Sequence, residues 1–505
     1  MAEEMVGHVQ PVMGDGAPTE FRKALGLFDS IMIVAGVMIG SGIFIVSAEI
    51  SRQVGSAGWL LVAWAITGVL TVTGALSYGE LAAMMPEAGG MYIYLREAFS
   101  PMLGFLYGWT MLTVIQTGTI AAVAIAFARF SGVLFPAVSE AHYLIAPVHV
   151  LPGYAVSLST AQALALGVLV LAALVNSYGV NWGKLITNVF TVSKLVGMGL
   201  LLVLGAWAFT AHPGVLRGNF AHAWSPVDAV AIRGASAVTA FGMFVALCVS
   251  QTGSLFSADA WHNVTFVAGE VRDPKRNLPL ALGIGTSLVV VFYILCNLCY
   301  LAALPLHGIQ SAPSDRVATQ AVNAVLPGIG ALAMGLLIMV STFGTVNAMT
   351  MAGARACYAM AQDGLFFRRA GVLNKRQVPG WGLALQCAWS MLLVLPRTYD
   401  AATGTYGNLY SNLLDYVISA ELLFYILTVS GLFRLRVTRP DAARPYRCWG
   451  YPWLPGFYVL GAATVLVVLF AYRPATTWPG LVIVAAGGPV YWLLRRRTRV
   501  VTDVG

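Results

Sequence analysis

The chain of 505 residues is 58% hydrophobic and only 10% charged, with a mean hydropathy of +0.77. A soluble chain of this size carries about 25% charged residues, so a soluble enzyme or nucleic-acid-binding domain is excluded and a polytopic helical membrane protein is indicated. The apolar runs are long and continuous, without the roughly ten-residue alternating segments of a β-barrel. The net charge of +8 is left to be explained by where the basic residues fall.

Residues 1–27 are polar and read as a cytoplasmic N-terminal segment without a cleavable signal peptide. A membrane span needs about 20 apolar residues. Spans are predicted at 28–50, 58–84, 99–131, 159–180, 184–209, 236–270, 279–304, 328–361, 380–396, 409–434, 456–472 and 478–494. Alternate connecting segments are crowded with Lys and Arg, among them Arg22, Lys23, Arg272, Lys275, Arg276, Arg368, Arg369, Arg434, Arg436, Arg439, Arg444 and Arg495 through Arg497. The segments between them hold few, Arg52, Arg217, Arg316, Arg397 and Arg473 among these. That positive-inside bias orients twelve spans with both termini cytoplasmic and accounts for the basic balance without nucleic acid.

The first span carries Gly40-Ser41-Gly42 near its midpoint. Backbone groups freed at that depth must be bound or face a protein-lined cavity, and an interrupted helix near the midplane points to a transporter's binding site. Unwound here, the amides of Ser41, Gly42 and Ile43 would open the outer half-helix with its positive end exposed, a carboxylate receptor made of backbone. Gly36-x-x-x-Gly40 also fits a small-residue helix-packing motif. Packing explains either glycine singly but not the Gly-Ser-Gly tandem.

Further along, Arg129 late in the third span is expected to reach the outer interface. Lys194 lies about ten residues into the fifth span, too deep for easy snorkelling, and needs a partner. It reads as a structural cation satisfied by carbonyls or as a functional one replacing a bound sodium ion. The two roles merge if the ammonium braces the broken first helix. Span 6 has its own interruption, Ser257-Ala-Asp-Ala-Trp-His-Asn263, five helices after the first, which suggests an inverted repeat. Asp259 within it is an isolated carboxylate expected to pair with a substrate amine, Lys194 or free backbone N–H groups. Orphan carbonyls at Phe256, Ser257 and Ala258 are placed to accept from a substrate ammonium. Glu421 in span 10 has two readings, a paired structural role, which is preferred, and a step in a proton path.

The six cysteines fall in apolar segments or an inner loop and read as small buried hydrophobes. There is no His/Cys set at metal-ligand spacing, Walker loop, dinucleotide fingerprint or Ser-His-Asp set, so no metal, cofactor or bond-making catalysis is expected.

These residues resemble the amino acid–polyamine–organocation superfamily, specifically the L-type amino acid transporter branch and its bacterial relatives. The match runs from about residue 25 to 475. It includes Gly36-Val-Met-Ile-Gly-Ser-Gly-Ile-Phe44, the long signature from Tyr78-Gly-Glu80 to Ala98-Phe99, and Phe190-Thr-Val-Ser-Lys194. It continues through Trp261 to Pro279, Ser341 to Asn347, Arg355 to Gly364, and Arg444-Pro-Tyr-Arg with Gly450-Tyr-Pro. The resemblance implies a five-plus-five inverted-repeat fold with two added helices. It also implies alternating access for L-amino acids without sodium dependence.

Carried over by position, Gly40, Ser41, Gly42 and Ile43 would hold the substrate carboxylate. Phe256, Ser257 and Ala258 would take the α-amino group, with Asp259 beside the side-chain pocket. Lys194 matches the family lysine at the position used for sodium in related transporters. Gln116 and Thr117 in span 3 and Asn347 in span 8 are further pocket candidates. One departure stands out: the family reads aromatic-x-Gly-Trp at the second break, and this chain has Ala258-Asp-Ala-Trp261. Ala260 is expected to crowd the pocket and Ala258 to leave room. The outer loop at 131–158 lacks cysteine, so a disulfide-linked heavy subunit is not expected.

The expectation is an all-α polytopic protein of the cell membrane with twelve transmembrane helices, of which helices 1 and 6 are broken. It divides into the N-terminal segment (1–27), an inverted-repeat core (28–434, with halves 28–209 and 236–434), two additional helices (456–494) and a basic cytoplasmic tail (495–505). Its expected work is sodium-independent exchange or facilitated uptake of L-amino acids, preferably neutral ones, with the substrate and the bilayer as partners. The alternative is proton-coupled symport of amino acids or cationic amines, through Asp259, Glu421 or Lys194.

Overall fold

Long apolar stretches with a polar cap at their start become helices here. The computed structural model describes residue 23 and residues 25–87, 89–178, 180–362, 366–374, 376, 378–401 and 404–502. Side chains at 180–192, 195, 356, 359, 368 and 494–502 are outside the description, as are most of the predicted N-terminal segment and all but the backbone of 495–502 in the predicted tail. In chain order the helices are α1 (Leu27–Met38), α2 (Val46–Val54), α3 (Ala57–Met84), α4 (Met91–Ala98), α5 (Pro101–Thr110), α6 (Gln116–Leu134), α7 (Thr160–Ser177), α8 (Val180–Ala211) and α9 (Pro213–Ala221). There follow α10 (Ala240–Ser257), α11 (Pro274–Ala303), α12 (Leu306–Gln310), α13 (Val317–Val325), α14 (Ile329–Gln362), α15 (Gly380–Val394), α16 (Leu409–Thr438), α17 (Trp453–Tyr472) and α18 (Pro474–Thr502).

Side-chain oxygens at the N-caps satisfy amides that would otherwise be orphaned. Ser100 accepts from Leu103 N, Thr239 from Gly242 N, and Asn408 from Tyr410 N and Ser411 N. Ser159 and Gln162 form a reciprocal capping box at the start of α7. By length and apolarity, eight helical stretches among the described residues are able to cross a membrane, and α8 with α9, bent by 85°, makes up to nine. The first run is broken and α15 has 15 residues, which keeps both below that length criterion.

The two halves pair element by element. The α1–α2 unit lies against α10 and its 3-10 extension Trp261–Glu270, α3 packs along α11, α6 along α14, and α7 along α15. In each case a helix of the first five meets its counterpart five positions later, the arrangement an inverted repeat requires. One extensive apolar core runs through these contacts. At one end Glu80, fully buried on α3, accepts from Arg436 Nη2 at 2.7 Å and from the Cys448 amide at 2.6 Å. This fastens α3 to α16 and to the loop before α17.

The connecting loops hold a finding that the all-helical expectation omitted. β1 (Tyr143–Leu151), β2 (Tyr154–Ser159), β3 (Pro396–Asp400) and β4 (Thr405–Tyr406) form a four-stranded antiparallel sheet joining the loop after α6 to the loop after α15. The signal was Tyr143-Leu-Ile-Ala-Pro-Val-His-Val-Leu151, rich in β-formers and followed by a Gly-containing turn.

Candidate functional site

The last α-helical bond of α1 runs from Ile39 N to Ala35 O, after which Ile39 turns to ψ 87°. The chain re-forms as a 3-10 turn over Gly42–Phe44, with Phe44 N on Ser41 O at 3.2 Å and Ile45 N on Gly42 O at 2.9 Å, before α2 begins. Among the described residues no backbone acceptor engages the amides of Gly40, Ser41, Gly42 and Ile43. The freed carbonyls are occupied instead. Lys194 Nζ donates to Gly36 O at 3.3 Å, Tyr293 Oη to Met38 O at 2.8 Å, and Tyr300 Oη to Ile43 O at 3.1 Å. Lys194 is thus beside the broken helix and is not paired with Asp259.

Helix α10 stops at Ser257. Asp259 N still reaches Phe256 O at 3.4 Å, but Ala260 adopts φ 64° and ψ 5°, the left-handed conformation, and a 3-10 segment follows. That is where the family pattern has glycine, and an L-residue there costs about 1–2 kcal/mol. The Ser257 carbonyl lies 2.9 Å from the same Tyr293 hydroxyl that lies 2.8 Å from Met38 O, so the one phenol proton is shared between carbonyls of the two breaks. One phenol therefore ties both breaks together. They also touch directly: a Cβ placed on Gly42 would overlap Ser257 Oγ and lie 2.9 Å from its Cβ. The positive end of one half-helix meets the carbonyl end of another at this point.

Around these breaks, Ser41 Oγ shares a hydrogen bond of 3.0 Å with Tyr410 Oη, whose ring lies 6.1 Å from Phe256 and 5.4 Å from the Arg129 guanidinium. Asp259 accepts from Tyr425 Oη at 2.8 Å, and that oxygen is 2.6 Å from His262 Nδ1. Trp261 stacks on Tyr425 at 5.2 Å and meets Tyr78 edge-on at 5.2 Å. The carboxyl oxygens of Asp259 and Glu421 and a ring nitrogen of His262 all lie within 4.8 Å of one another. A cavity of about 20 Å³ adjoins Asp259 and Glu421, and another of about 10 Å³ adjoins Glu49, Asp315 and Tyr410. Neither exceeds the room of about one water, so neither admits an amino acid in this conformation.

Gln116 and Asn347 stand apart from those two cavities. Gln116 Nε2 donates to Met349 O at 2.8 Å, and Asn347 Oδ1 accepts from Asn176 Nδ2 at 2.9 Å, both bonds joining α14 to its neighbours. Thr117 is turned into its own helix, donating to Leu112 O across the π-helical turn Met111–Ile115.

Arg129 reaches residues of the connecting loops at the end of α6, and it is buried there. It is 5% exposed and bonds Glu140 at 2.6 Å, Asp315 at 3.3 Å and Asn408. Arg52 on α2 meets the same Asp315 at 2.8 Å, and Glu49 meets Ser411 and, at 3.4 Å, Arg473. Burial alone would raise the Asp315 carboxyl, but Arg129 and Arg52 together hold it below its ordinary range. This polar cap sits over the breaks, joining α2, α6 and α16. Sequence reasoning missed the network because its members lie in different segments. It also missed the helix-spaced trio Tyr293, Asn297 and Tyr300 on α11, which positions i, i+4 and i+7 of an apolar run make legible.

The profile of the family described as amino acid permease matches residues 25–494. The chain belongs to the amino acid permease family. Within it the permease is 30% identical to the rat large neutral amino acids transporter small subunit 2 over 95% of this chain and 82% of that protein. It is 28% identical to the mouse b(0,+)-type amino acid transporter 1 over 94% and 88%. It is also 27% identical to the mouse Asc-type amino acid transporter 1 over 97% and 88%. These relatives are transporters and place the permease in the L-type branch of the amino acid–polyamine–organocation superfamily. The crystal structure of MhsT in complex with L-phenylalanine shares the fold, with a TM-score of 0.57 at 13% identity, over 90% of this chain and all of that one. The permease is a multi-pass membrane transporter of amino acids and not an enzyme.

Proposed function

We propose that the permease moves neutral L-amino acids across the cell membrane without sodium, as an exchanger or facilitator working by alternating access. Its twelve spans would have both termini cytoplasmic. The observation that carries this reading is the meeting of two half-helix ends of opposite polarity at Gly42 and Ser257. A zwitterion matches them: its carboxylate takes the amides of Gly40 through Ile43, and its ammonium takes carbonyls of Phe256, Ser257 and Ala258. In the closed conformation Tyr293 occupies the Ser257 carbonyl, so substrate entry displaces or shares that bond. Asp259 would sit beside the substrate side chain. Gln116 and Asn347, which bond α14 here, would come to the substrate only with movement of that helix.

Lys194 supports independence from sodium. Its ammonium sits against Gly36 O, supplying a fixed positive charge where the broken helix presents a carbonyl. The name of the rat relative supports the neutral preference. Uptake of a radiolabelled panel into proteoliposomes, in sodium or choline buffer, tests both points. Equal rates in the two buffers, stimulated by internal amino acid, are expected. Strict sodium dependence or saturable binding without flux would overturn the reading. Proton coupling is favoured by one observation, the proximity of Asp259 to Glu421 with no cationic side chain paired to either among the described residues.

A further inference from the structure

Glu421 is 2% exposed, lines the cavity beside Asp259, and has one carboxyl oxygen without a hydrogen-bond partner. A carboxyl oxygen of Glu421, one of Asp259 and a ring nitrogen of His262 lie within 4.8 Å of one another. Two carboxylates this close and this deeply placed repel when both are ionised, which favours one of them holding a proton.

The neighbouring bonds indicate which one. Tyr425 Oη has a single proton and donates it to Asp259 Oδ1 at 2.8 Å. Its 2.6 Å contact with His262 Nδ1 then requires that nitrogen to be the donor. The chain of bonds runs His262 to Tyr425 to Asp259, so Asp259 already has a donor while one Glu421 oxygen has no partner, and a proton shared by the pair is best placed on Glu421. Titratable groups face the pair from every packed element: Tyr78 on α3, Tyr107 on α5, Asp259 and His262 at the second break, Tyr425 on α16, and Tyr458 on α17. Among the described residues none of these is a lysine or arginine. Two bare negative charges at this depth without a cation are expensive, whereas one shared proton leaves a single charge, which Tyr425 hydrogen-bonds.

We infer that Asp259 and Glu421 form a proton-carrying site that links the second helix break to α16, with one proton bound while they are in contact and released when they part. Resting on the proton-coupled form of the transport reading above, and not on its exchanger or facilitator form, this assigns the transporter a coupling ion. Glu421 takes its proton from water on the outer side and keeps it while the cavity is closed. As the 3-10 segment Trp261–Glu270 moves away from α16, water reaches both carboxyls, their close approach is lost, and the proton leaves to the cytoplasm with the substrate.

The test uses the full chain in proteoliposomes, with radiolabelled L-leucine. An imposed gradient of one pH unit, inside alkaline, is worth about 1.4 kcal/mol per proton and so supports up to about tenfold accumulation at one proton per substrate. Wild type is expected to accumulate and to lose the accumulation on adding a protonophore. Glu421→Gln is expected to equilibrate leucine without responding to the gradient, and Glu421→Asp to regain part of the response. Infrared spectroscopy supplies a readout independent of transport: a protonated carboxyl C=O band at neutral pH in wild type that is missing from Glu421→Gln. Leucine exchange in wild type without any gradient response overturns the coupling and leaves the transport reading intact. A full gradient response in Glu421→Gln, or an unchanged carboxyl band, overturns the site itself. Absence of all leucine flux overturns the transport reading and with it the coupling, while the band still decides whether Glu421 holds the proton.

Discussion

Gly42 lies against Ser257 with no room for a side chain between them, so the two interrupted helices meet at a glycine. A methyl group at Gly42 has to displace Ser257 Oγ and crowd its Cβ. Overpacking of this kind costs about 1–3 kcal/mol. Gly42→Ala is expected to lower initial uptake at least tenfold in proteoliposomes, and Gly42→Ala with Ser257→Gly to recover part of it. Equal uptake in the single and double variants would show that the contact does not shape the site.

Ala260 is held at φ 64°. Replacement by glycine relieves a left-handed alanine, a gain of about 1 kcal/mol. Ala260→Gly is expected to raise the Tm of the detergent-solubilised protein, measured by intrinsic fluorescence. A lower Tm would mean that the methyl group contributes packing that outweighs the backbone strain.

For Lys194, the ammonium-to-carbonyl bond at Gly36 is a charge-assisted contact, of a class worth about 1.5–3 kcal/mol. Lys194→Ala is expected to reduce transport by roughly tenfold or more, with yield and monodispersity on size-exclusion chromatography little changed. Wild-type flux in this variant would refute a role in bracing the first break.

The breaks themselves were legible from sequence because glycines and a lone carboxylate are conspicuous inside membrane-length apolar runs. Gly40-Ser41-Gly42 and Ser257 to Trp261 read as interruptions, and both helices do unwind there. Partners were harder to read. Asp259 faces Tyr425 and Glu421 and not Lys194, because α16 approaches the second break while Lys194 lies behind the first. Arg129 reaches the loop residues at the end of its span, but its burial beneath Glu140 and Asp315 was not legible, because hydropathy cannot bring those residues together. Of the small strands, the β2–β3 pairing joins loops more than two hundred residues apart and was illegible for the same reason, whereas the local β1–β2 hairpin carried a signal that the span reading passed over.

Asp315 anchors the polar cap over the breaks. With its folded carboxyl depressed by Arg129 and Arg52, it contributes stability above its unfolded value, and that contribution is lost as pH falls through the lower, folded value. The cap therefore remains closed at neutral and mildly acidic pH and weakens only in strong acid. Asp315→Asn leaves Arg129 underpaired, a loss of about 3 kcal/mol for a buried pair. Hydrogen exchange is expected to speed up in α2 and at the start of α16. Unchanged exchange there would show that the cap does not hold these elements together.

The central claim is that this permease recognises both ends of an amino acid zwitterion between its two broken helices and carries it across the membrane. The most direct measurement is inhibition of radiolabelled L-leucine exchange in proteoliposomes by L-leucine, its α-carboxamide, and the corresponding amine and acid lacking one charged group. Saturable exchange blocked by L-leucine alone is expected, since each of the other three leaves one half-helix end without its charge. Equal block by the amine or the acid, or binding with no exchange at all, would contradict it.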